Sequence, residues 1–215
     1  MKKPSIANLH RDYPDKQLLE KTVPREPFRL FHHWFHQAIQ ARLLDPNAMA
    51  LSTVGLSGKP SARMVLLKGL DKKGFVFFTN YLSRKGKDLK IHPSASLLFF
   101  WPELGRQIRV EGKAVRVSAK ESDEYFKSRP IGSQLSAWAS HQSAVVPNRE
   151  VLEKRMRELE KEFRNKPVPR PPHWGGYRVL PYLIEFWSGR RNRLHDRLRY
   201  QKKSNGNWRM ERLSP

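Results

Sequence analysis

The stretch EFWSGRRNRLHDRLRY, residues 185–200, joins an apolar segment to a run of cations. Phe186 and Trp187 are typical of a strand end, and Gly189 suggests a turn. The residues that follow alternate between charged and apolar, which predicts a strand whose side chains point to opposite faces in turn. On this interpretation one face carries Arg193, His195, Arg197 and Arg199, and the other carries Leu194 and Leu198. Such a cationic face suits an anionic, phosphorylated ligand, and a solvated basic edge strand is the alternative.

The composition limits what the protein can be. A chain of 215 residues, 38% of them hydrophobic, is long enough for one domain with a real core. Lysine and arginine outnumber acidic residues by 42 to 20, and the net charge of +22 favours anionic partners. The absence of cysteine excludes disulfides and thiolate metal sites and fits a reducing, cytoplasmic compartment. No segment resembles a secretory signal or is apolar enough to span a membrane, so we expect no membrane association.

The sequence divides into a polar arm and one folded domain. Residues 1–26 contain three prolines and are predicted to form an arm, and residues 27–215 form the domain. Pro27 favours the first turn of a helix. His32 and His36 lie one turn apart in that helix, but no third ligand is near them, so we predict no metal site.

Short apolar segments separated by polar turns predict a mainly β domain. The predicted strands cover residues 48–54, 61–68, 74–79, 94–101, 107–118, 182–187, 193–203 and 207–213. Consecutive strands with short turns indicate an antiparallel sheet, and Asn205-Gly206 marks the last hairpin. Within residues 107–118 the apolar positions change from even to odd numbers across Gly112. We therefore predict a bulge or bend there, and a bend favours a barrel over an open sheet.

Helices are predicted to flank these strands, which makes the class α+β with β dominant. Besides the helix at Pro27, they cover residues 83–92, 118–128, 131–140 and 148–165. Ser83 and Ser118 are the expected N-caps of two of them. The proline-rich segment 166–176 is predicted to be an extended connector.

Three further groups of polar residues suggest anion sites. They are Arg63 with Lys68, Arg84 with Lys85, and Tyr125 with Arg129 and Ser133. Arg84 and Lys85 lie in the first turn of a predicted helix, where free amides and the helix dipole favour an anion. An ordinary cap with solvated charges is the alternative. The segment GLSGKPS, residues 55–61, lacks the spacing of a phosphate loop, so strands and side chains would have to hold any nucleotide.

Seven motifs follow one another along the chain. They are RMVLLKG at 63–69, FFTNYLSRKGKDL at 77–89, GRQIRVEG at 105–112, SRPIGSQLSAWASHQS at 128–143, HWGGYRV at 173–179, EFWSGRRNRLHDR at 185–197 and RLSP at 212–215. Their order and spacing are those of the pyridoxine/pyridoxamine 5′-phosphate oxidase family, which the chain therefore resembles over nearly its whole length. The resemblance implies an antiparallel FMN-binding split β-barrel, assembled as a homodimer with two flavins at the subunit interface.

The resemblance also implies the site residues. It assigns FMN contacts to Arg63, Met64, Val65, Leu66, Leu67, Lys68, Phe78, Thr79, Arg84, Lys85, Gln107, Gln142, Ser143, Trp187 and Arg197. It assigns substrate binding to His10, Arg11, Tyr13, Lys68, Tyr125, Arg129, Ser133, Arg193, Leu194 and His195. Arg193 and His195 match the catalytic residues over the substrate's pyridine ring. Phe78 stands where relatives often have Tyr, and His10 where they often have Arg in an arm that covers the active site.

The implied reaction oxidises pyridoxamine or pyridoxine 5′-phosphate to pyridoxal 5′-phosphate. Dioxygen is the electron acceptor and leaves as hydrogen peroxide, and the amine also releases ammonia. One alternative is a split-barrel flavoprotein that acts on another substrate or only binds flavin. The other is a basic nucleic-acid-binding protein. The aromatic residues of this chain argue against the nucleic-acid alternative, because most of them lie in predicted apolar strands and helix stripes that resemble core.

Overall fold

The elements of the chain follow its proline, serine and asparagine signals closely. The computed structural model describes Ala7, Tyr13 and residues 17–215, so the predicted arm residues His10 and Arg11 lie outside the described part. Its helices are α1 (Pro27–Gln40), α2 (Arg84–Ile91), α3 (Ala119–Lys127), α4 (Ile131–Ala139) and α5 (Arg149–Glu162). Its strands are β1 (Ala48–Val54), β2 (Pro60–Leu66), β3 (Gly69–Asp71), β4 (Gly74–Asn80), β5 (Ser94–Trp101), β6 (Arg106–Arg116), β7 (Trp174–Ser188), β8 (Asp196–Lys202) and β9 (Trp208–Leu213).

The helices begin where their capping residues stand. The side chains of Ser83, Ser118 and Asn148 cap α2, α3 and α5, each accepting a hydrogen bond of 3.0–3.3 Å from the backbone N–H three residues further on. Pro27 occupies the first turn of α1, where its missing N–H costs nothing. Within the described residues, no helix combines the length and apolar character that a membrane crossing requires.

The chain divides into two compact units, which three strands connect. The terminal unit comprises the described residues up to Asn47 together with Leu98–Val110 and Tyr182–Pro215. The central unit comprises Ala48–Leu97 and Glu111–Pro181. Strands β5, β6 and β7 each contribute residues to both units.

The core of the terminal unit is largely aromatic. The ring of Phe31 in α1 lies 5.1 Å from the ring of Phe99 in β5. Trp34, one turn later in α1, lies 5.2 Å from Phe186, which in turn lies 5.7 Å from Tyr200. Each of these pairs is edge to face, the arrangement that aromatic quadrupoles favour. The apolar stripe of α1 thus packs against the buried faces of the strands in its own unit.

The central unit contains most of the sheet. Its strand order is β2-β1-β5-β6-β7-β4-β3, and the pairs β1–β2, β3–β4 and β4–β7 are antiparallel. Helices α3, α4 and α5 form a second core, in which Phe126, Leu135, Leu159 and Trp174 are buried. The prediction of an antiparallel, mainly β fold with flanking helices is confirmed.

The predicted bulge at Gly112 is wrong. Strand β6 continues through it, and Ile108, Val110, Gly112 and Ala114 all lie on its buried face. A Cβ atom added to Gly112 would lie 2.4 Å from the carbonyl oxygen of Leu180. The glycine therefore permits close approach of two backbones and leaves the alternation of the strand unchanged.

The predicted boundary of β7 is also wrong. The connector was expected to extend to residue 176 and the strand to begin at 182, but β7 begins at Trp174 and pairs with β4 over residues 174–179. Gly175 and Gly176 resemble loop residues in the sequence. In the structure an added Cβ on Gly175 would lie 2.1 Å from the hydroxyl of Tyr81, so the glycine is a strand position beside a bulky ring.

The predicted strand 193–203 is correct only in its second part. Strand β8 begins at Asp196, whose partner Ser188 is the last residue of β7, so residues before Asp196 have no partner in the ladder. A short 3-10 turn covers Arg191–Arg193, in which Asn192 and Arg193 have φ angles of 56° and 59°. The expectation that Arg193 and His195 share a strand face is therefore wrong. From Asp196 onward the alternation holds, because Leu198 and Tyr200 are buried and the alternate residues Arg197 and Arg199 are half-buried.

The Asn205-Gly206 hairpin is confirmed. Gly206 has a φ of 85°, and its N–H donates to the carbonyl of Lys203 at 3.0 Å. Strands β8 and β9 pair antiparallel on either side of this turn.

Gly112→Ala tests the close approach of the backbones. We expect the free energy of unfolding to fall by about 1–3 kcal/mol, because the new methyl group meets a backbone carbonyl that cannot move aside. Gly132→Ala is the matched control, since a Cβ there has no neighbour within 4 Å and a helical alanine stabilises by up to about 1 kcal/mol. Urea unfolding of both variants measures the difference, and equal midpoints would contradict the prediction.

Candidate active site

The central unit encloses a cavity of about 840 Å³ between β2, β4 and the helical segments. It is lined by Ser61, Arg63, Met64, Val65, Leu66, Lys68, Phe78, Thr79, Asn80, Arg84, Lys85, Tyr125, Arg129, Ser136, Ala137, Ser140, Gln142, Ser143 and Trp174. The wall thus contains most of the residues of the central unit that the sequence singled out, although they are up to 80 positions apart in the chain (63 to 143). A volume of this size is typical of a small-molecule or cofactor site.

Arg63 is held in the cavity wall by three hydrogen bonds. Its Nη1 donates to the carbonyl of Leu51 at 3.2 Å and to Oγ1 of Thr53 at 2.7 Å. Its Nη2 donates to Oγ of Ser61 at 2.7 Å. Strand pairing accounts for these contacts, since Arg63 of β2 lies opposite Leu51 of β1 and Ser61 lies opposite Thr53. The guanidinium is thereby oriented before any ligand binds.

Lys85 is the buried cation of the cavity, with 8% of its surface exposed. Its Nζ donates to Oε1 of Gln142 at 2.7 Å and to Thr79 and Ser83 at 3.2 Å each. All three acceptors are neutral. Burial, followed by the charge of Arg63, lowers the pKa of Lys85 to about 8.

Positive charge is concentrated where α2 begins. Burial lowers the pKa of Arg63 most, the nearby carboxylate of Asp88 opposes that shift, and the charge of Arg84 adds to it. The backbone N–H of Arg84 donates to Oγ of Ser143 at 3.3 Å, so the start of the helix faces the segment that carries Gln142 and Ser143. Mutually repelling cations beside a helix N-terminus favour a dianion such as a phosphate monoester.

A second cationic position lies beside an aromatic stack. The ring of Phe78 lies 4.0 Å from that of Tyr125 and 5.5 Å from that of Trp174, with nearly parallel planes. The guanidinium of Arg129 lies 4.7 Å above the Trp174 ring. Its Nη1 is buried without a hydrogen-bond partner among the described residues, and burial lowers the pKa of Arg129. An anion in the cavity would give this donor the acceptor it lacks.

Two predicted residues of the central unit are not in the cavity wall. Leu67, the residue after the end of β2, is buried and does not line the cavity. Ser133 lies in the first turn of α4, where its N–H donates to the carbonyl of Pro130 at 2.8 Å. The next turn of that helix contributes Ser136 and Ala137 to the wall instead.

The terminal unit holds another group of predicted residues. The ring of Tyr13 lies 5.3 Å from that of Trp187 and 5.5 Å from that of His195, edge to face in both cases. An added Cβ on Gly189 would lie 2.3 Å from the Tyr13 ring, so the glycine makes room for it. Nδ1 of His195 accepts from the backbone N–H of Arg190 at 3.0 Å, which leaves the proton of the neutral imidazole on Nε2.

The remaining predicted residues of this unit differ in how firmly they are held. Arg193 and Leu194 are exposed in the connection between β7 and β8. Arg197 donates from Nε to buried Glu185 at 2.8 Å and from Nη1 to the carbonyl of Ser214 at 2.9 Å. Gln107 is half-buried in β6.

Burial would raise the pKa of Glu185, but hydrogen bonds from Arg197 and Arg109 hold it below its ordinary value. The carboxylate therefore stays charged inside the terminal unit and fixes the position of Arg197.

Trp174 is the most important site residue that the sequence did not predict. It was assigned to a connector, although the HWGG motif that contains it was noted. Ser61, Asn80, Ser136, Ala137 and Ser140 also line the cavity without having been singled out. Small uncharged residues such as these give no signal by themselves. Among the described residues, no group of three or more His, Cys, Asp or Glu side chains is placed to hold a metal ion.

Comparisons with known proteins agree with this geometry. Residues 35–162 match a family described as pyridoxamine 5′-phosphate oxidase, and residues 174–215 match the pyridoxine 5′-phosphate oxidase C-terminal dimerisation region. A pyridoxine/pyridoxamine 5′-phosphate oxidase of Acaryochloris marina is 58% identical over 98% of this chain and 96% of the relative. One of Paraburkholderia phytofirmans is 54% identical over 98% of this chain and 99% of the relative.

Solved structures give the same fold. PhzG from Burkholderia lata 383, in complex with tetrahydrophenazine-1-carboxylic acid, is 35% identical with a TM-score of 0.88, covering 94% of this chain and 99% of that one. A pyridoxamine 5′-phosphate oxidase-related, FMN binding protein of Nostoc punctiforme is 16% identical with a TM-score of 0.71, covering 90% of this chain and 99% of that one. The latter likeness concerns the fold alone.

The fold is that of a split-barrel protein, and its cavity is lined by cations. The chain belongs to the pyridoxamine 5′-phosphate oxidase family and is an oxidoreductase of that family. Its C-terminal part is the dimerisation region of the family.

The lowered pKa of Lys85 predicts pH-dependent anion binding. Sulfate, which does not titrate in this range, should bind the flavin-free protein less tightly as the pH rises through about 8, because Lys85 then loses its charge. Calorimetric titration at several pH values measures the affinity. Lys85→Met should bind sulfate more weakly and without this pH dependence. Parallel pH profiles in the two proteins would contradict the assignment.

Proposed function

We propose that the protein binds FMN in the central cavity and oxidises pyridoxamine or pyridoxine 5′-phosphate to pyridoxal 5′-phosphate. The observation that carries this proposal is the presence of two separate cationic groups in the wall of one cavity, around Lys85 and around Arg129. The reaction brings together two phosphorylated molecules, a cofactor and a substrate, and each needs its own anion site. Membership of the family supports the same reaction.

The cofactor phosphate is assigned to the cluster where α2 begins. Arg63, Arg84 and Lys85 supply charge-assisted donors, and Ser143 and the helix N-terminus add neutral ones. The remaining FMN contacts are retained from the family resemblance: Met64, Val65, Leu66, Leu67, Lys68, Phe78, Thr79, Gln107, Gln142, Trp187 and Arg197. Phe78 has no hydroxyl, so its side chain can contribute only apolar contact.

The substrate phosphate is assigned to Arg129, with Lys68, Tyr125 and Ser133. Arg129 has a buried donor without a partner, and the ring of Trp174 holds its guanidinium in place. Binding the phosphate away from the reacting carbon uses remote binding energy to orient the substrate ring. Lys68 and Tyr125 line the same cavity, which supports a shared site.

Arg193, Leu194 and His195 are proposed to contact the substrate, and Arg193 and His195 to act over its ring. Burial lowers the pKa of His195, and the charge of Arg193 adds to the effect, so the imidazole is neutral at neutral pH and offers Nε2–H as a donor. Tyr13, His10 and Arg11 are proposed to belong to an arm that covers the site. The packing of Tyr13 on Trp187 and His195 supports this role for the arm.

When bound, FMN supplies the two-electron redox chemistry, for which dioxygen is the final acceptor and hydrogen peroxide the product. The amine substrate also releases ammonia. The chain's own residues bind and orient the two phosphorylated ligands and exclude water from the substrate ring. We further propose a homodimer, because residues 174–215 match a dimerisation region.

A second candidate function follows from the likeness to PhzG, whose structure contains tetrahydrophenazine-1-carboxylic acid. The unpartnered donor of Arg129 could bind a carboxylate as well as a phosphate. The sequence identity of 35% to PhzG is lower than the 58% and 54% to the two oxidases, which favours the phosphorylated substrate.

Purified protein tests these alternatives directly. A flavin absorption spectrum, hydrogen peroxide release on adding pyridoxamine 5′-phosphate, and a dimer by light scattering are expected. Turnover of tetrahydrophenazine-1-carboxylic acid without turnover of the phosphorylated substrate would select the second function. Protein that binds no flavin after reconstitution with FMN would contradict both.

Arg129→Ala separates the two anion sites. We expect the KM for pyridoxamine 5′-phosphate to rise by about tenfold or more, since a charge-assisted hydrogen bond contributes roughly 1.5–3 kcal/mol. FMN should stay bound. The double variant Arg84→Ala/Lys85→Ala should show the opposite pattern, with flavin lost on dialysis. If Arg129→Ala loses flavin and keeps its KM, the two phosphates have been assigned to the wrong clusters.

Arg193→Ala tests the catalytic assignment. We expect kcat/KM to fall by at least about tenfold, equivalent to roughly 1.4 kcal/mol of transition-state stabilisation, with FMN content and thermal stability unchanged. His195→Ala should have a smaller effect in the same direction. Arg191→Ala is the matched control, because Arg191 is exposed in the same 3-10 turn and carries the same charge. Flavin bleaching at the parent's rate in all three variants would make this segment structural only.

A further inference from the structure

Two buried polar residues lie behind the cavity wall, where the proposed function does not use them. Thr53 of β1 is 1% exposed and Asp88 of α2 is 7% exposed, and neither lines the large cavity. Oγ1 of Thr53 donates to Oδ2 of Asp88 at 2.7 Å, and Nη1 of Arg63 donates to the same Oγ1 at 2.7 Å. We infer that Asp88, acting through Thr53, is a positioning residue that aims Arg63 at the cofactor phosphate.

The direction of each hydrogen bond in this chain is fixed by chemistry. A carboxylate can only accept, and a hydroxyl has a single proton to donate. The proton of Thr53 therefore points to Asp88, and the lone pairs of the hydroxyl are turned towards Arg63. A threonine without this carboxylate could rotate its proton towards the guanidinium and repel it. Asp88 thus makes Thr53 a dedicated acceptor.

The same bonds decide which donors of Arg63 remain for a ligand. Both hydrogens of Nη1 are used, on the carbonyl of Leu51 and on Thr53. One hydrogen of Nη2 is used on Ser61. The other Nη2 hydrogen and the Nε hydrogen remain, and a guanidinium presents its donors in a rigid plane. Fixing the Nη1 side of the group therefore fixes the direction of the donors that face the cavity.

Electrostatics and packing support the same role. The charge of Asp88 acts against the loss of hydration that Arg63 suffers in the wall, while Arg84 and Lys85 repel it. The carboxylate reaches Thr53 because Gly55 leaves space for it, since an added Cβ on Gly55 would lie 2.9 Å from Oδ1 of Asp88. A buried carboxylate near a phosphate site would by charge alone weaken anion binding. Its value lies in orienting Arg63.

The test compares FMN with riboflavin, which lacks the phosphate, and it rests on the proposed placement of FMN. Dissociation constants for both ligands are measured by flavin fluorescence quenching on flavin-free protein. The ratio of the riboflavin constant to the FMN constant reports the contribution of the phosphate alone. We expect Thr53→Val, which has the same shape without the acceptor, to lower this ratio by about tenfold. Thr53→Ser, which keeps the hydroxyl, should retain the parent's ratio.

Asp88→Ala, which removes the acceptor together with the charge, is the second variant and decides the matter if Thr53→Val does not fold. Positioning predicts that its ratio falls, whereas simple charge balance predicts that the ratio rises because a negative charge has been removed. An unchanged or higher ratio would overturn the inference. So would an unchanged ratio in folded Thr53→Val while the parent prefers FMN. A parent protein with equal affinity for FMN and riboflavin would instead overturn the proposed phosphate placement, on which the inference rests.

Discussion

Burial of positive charge without a direct counter-charge is the constraint on which the central unit depends. Lys85 is enclosed by three neutral oxygen acceptors, and Arg63 is held by hydroxyl and carbonyl oxygens. Such an arrangement is costly in the absence of an anion, because desolvation is only partly repaid by neutral hydrogen bonds. The cavity is therefore preorganised for an anion, and its wall depends on the spacing of the strands that carry these residues.

Close backbone approach is the means by which the sheet achieves this spacing. Gly112 lets β6 pass beside Leu180, and Gly175 lets β7 pass beside Tyr81. The second approach brings Trp174 under the guanidinium of Arg129 and into the aromatic stack. Glycines that look like turn residues in the sequence are thus positions where two backbones, or a backbone and a ring, come into close contact. The substrate side of the proposed site depends on them as much as on its charged residues.

In the terminal unit, flexible side chains are held in and next to a connection that has no strand partner. His195, in this connection, is fixed by the N–H of Arg190 and by two aromatic rings. Arg197, just after the connection in β8, is fixed by Glu185. The alternating pattern of residues 193–199 predicted one continuous strand, but only the part opposite β7 became one. Alternation indicates which side chains would share a face of a strand, whereas the partner strand determines where that strand begins.

The sequence by itself determined the helices, their caps, the antiparallel β class, the last hairpin and the identity of most cavity-lining cations. Serine, asparagine and proline act on the backbone within a few residues, so their effects can be derived locally. Only the tertiary structure decided where β7 begins, that Gly112 is a point of contact between strands, and that Trp174 belongs to the cavity wall. It also placed Thr53 and Asp88 behind Arg63, although Thr53 is 10 positions from Arg63 and Asp88 is 35 positions from Thr53 in the chain. Those features depend on contacts between residues that are distant in sequence. No local pattern marks the side chains concerned, and their contacts form only when the strands that carry them pair.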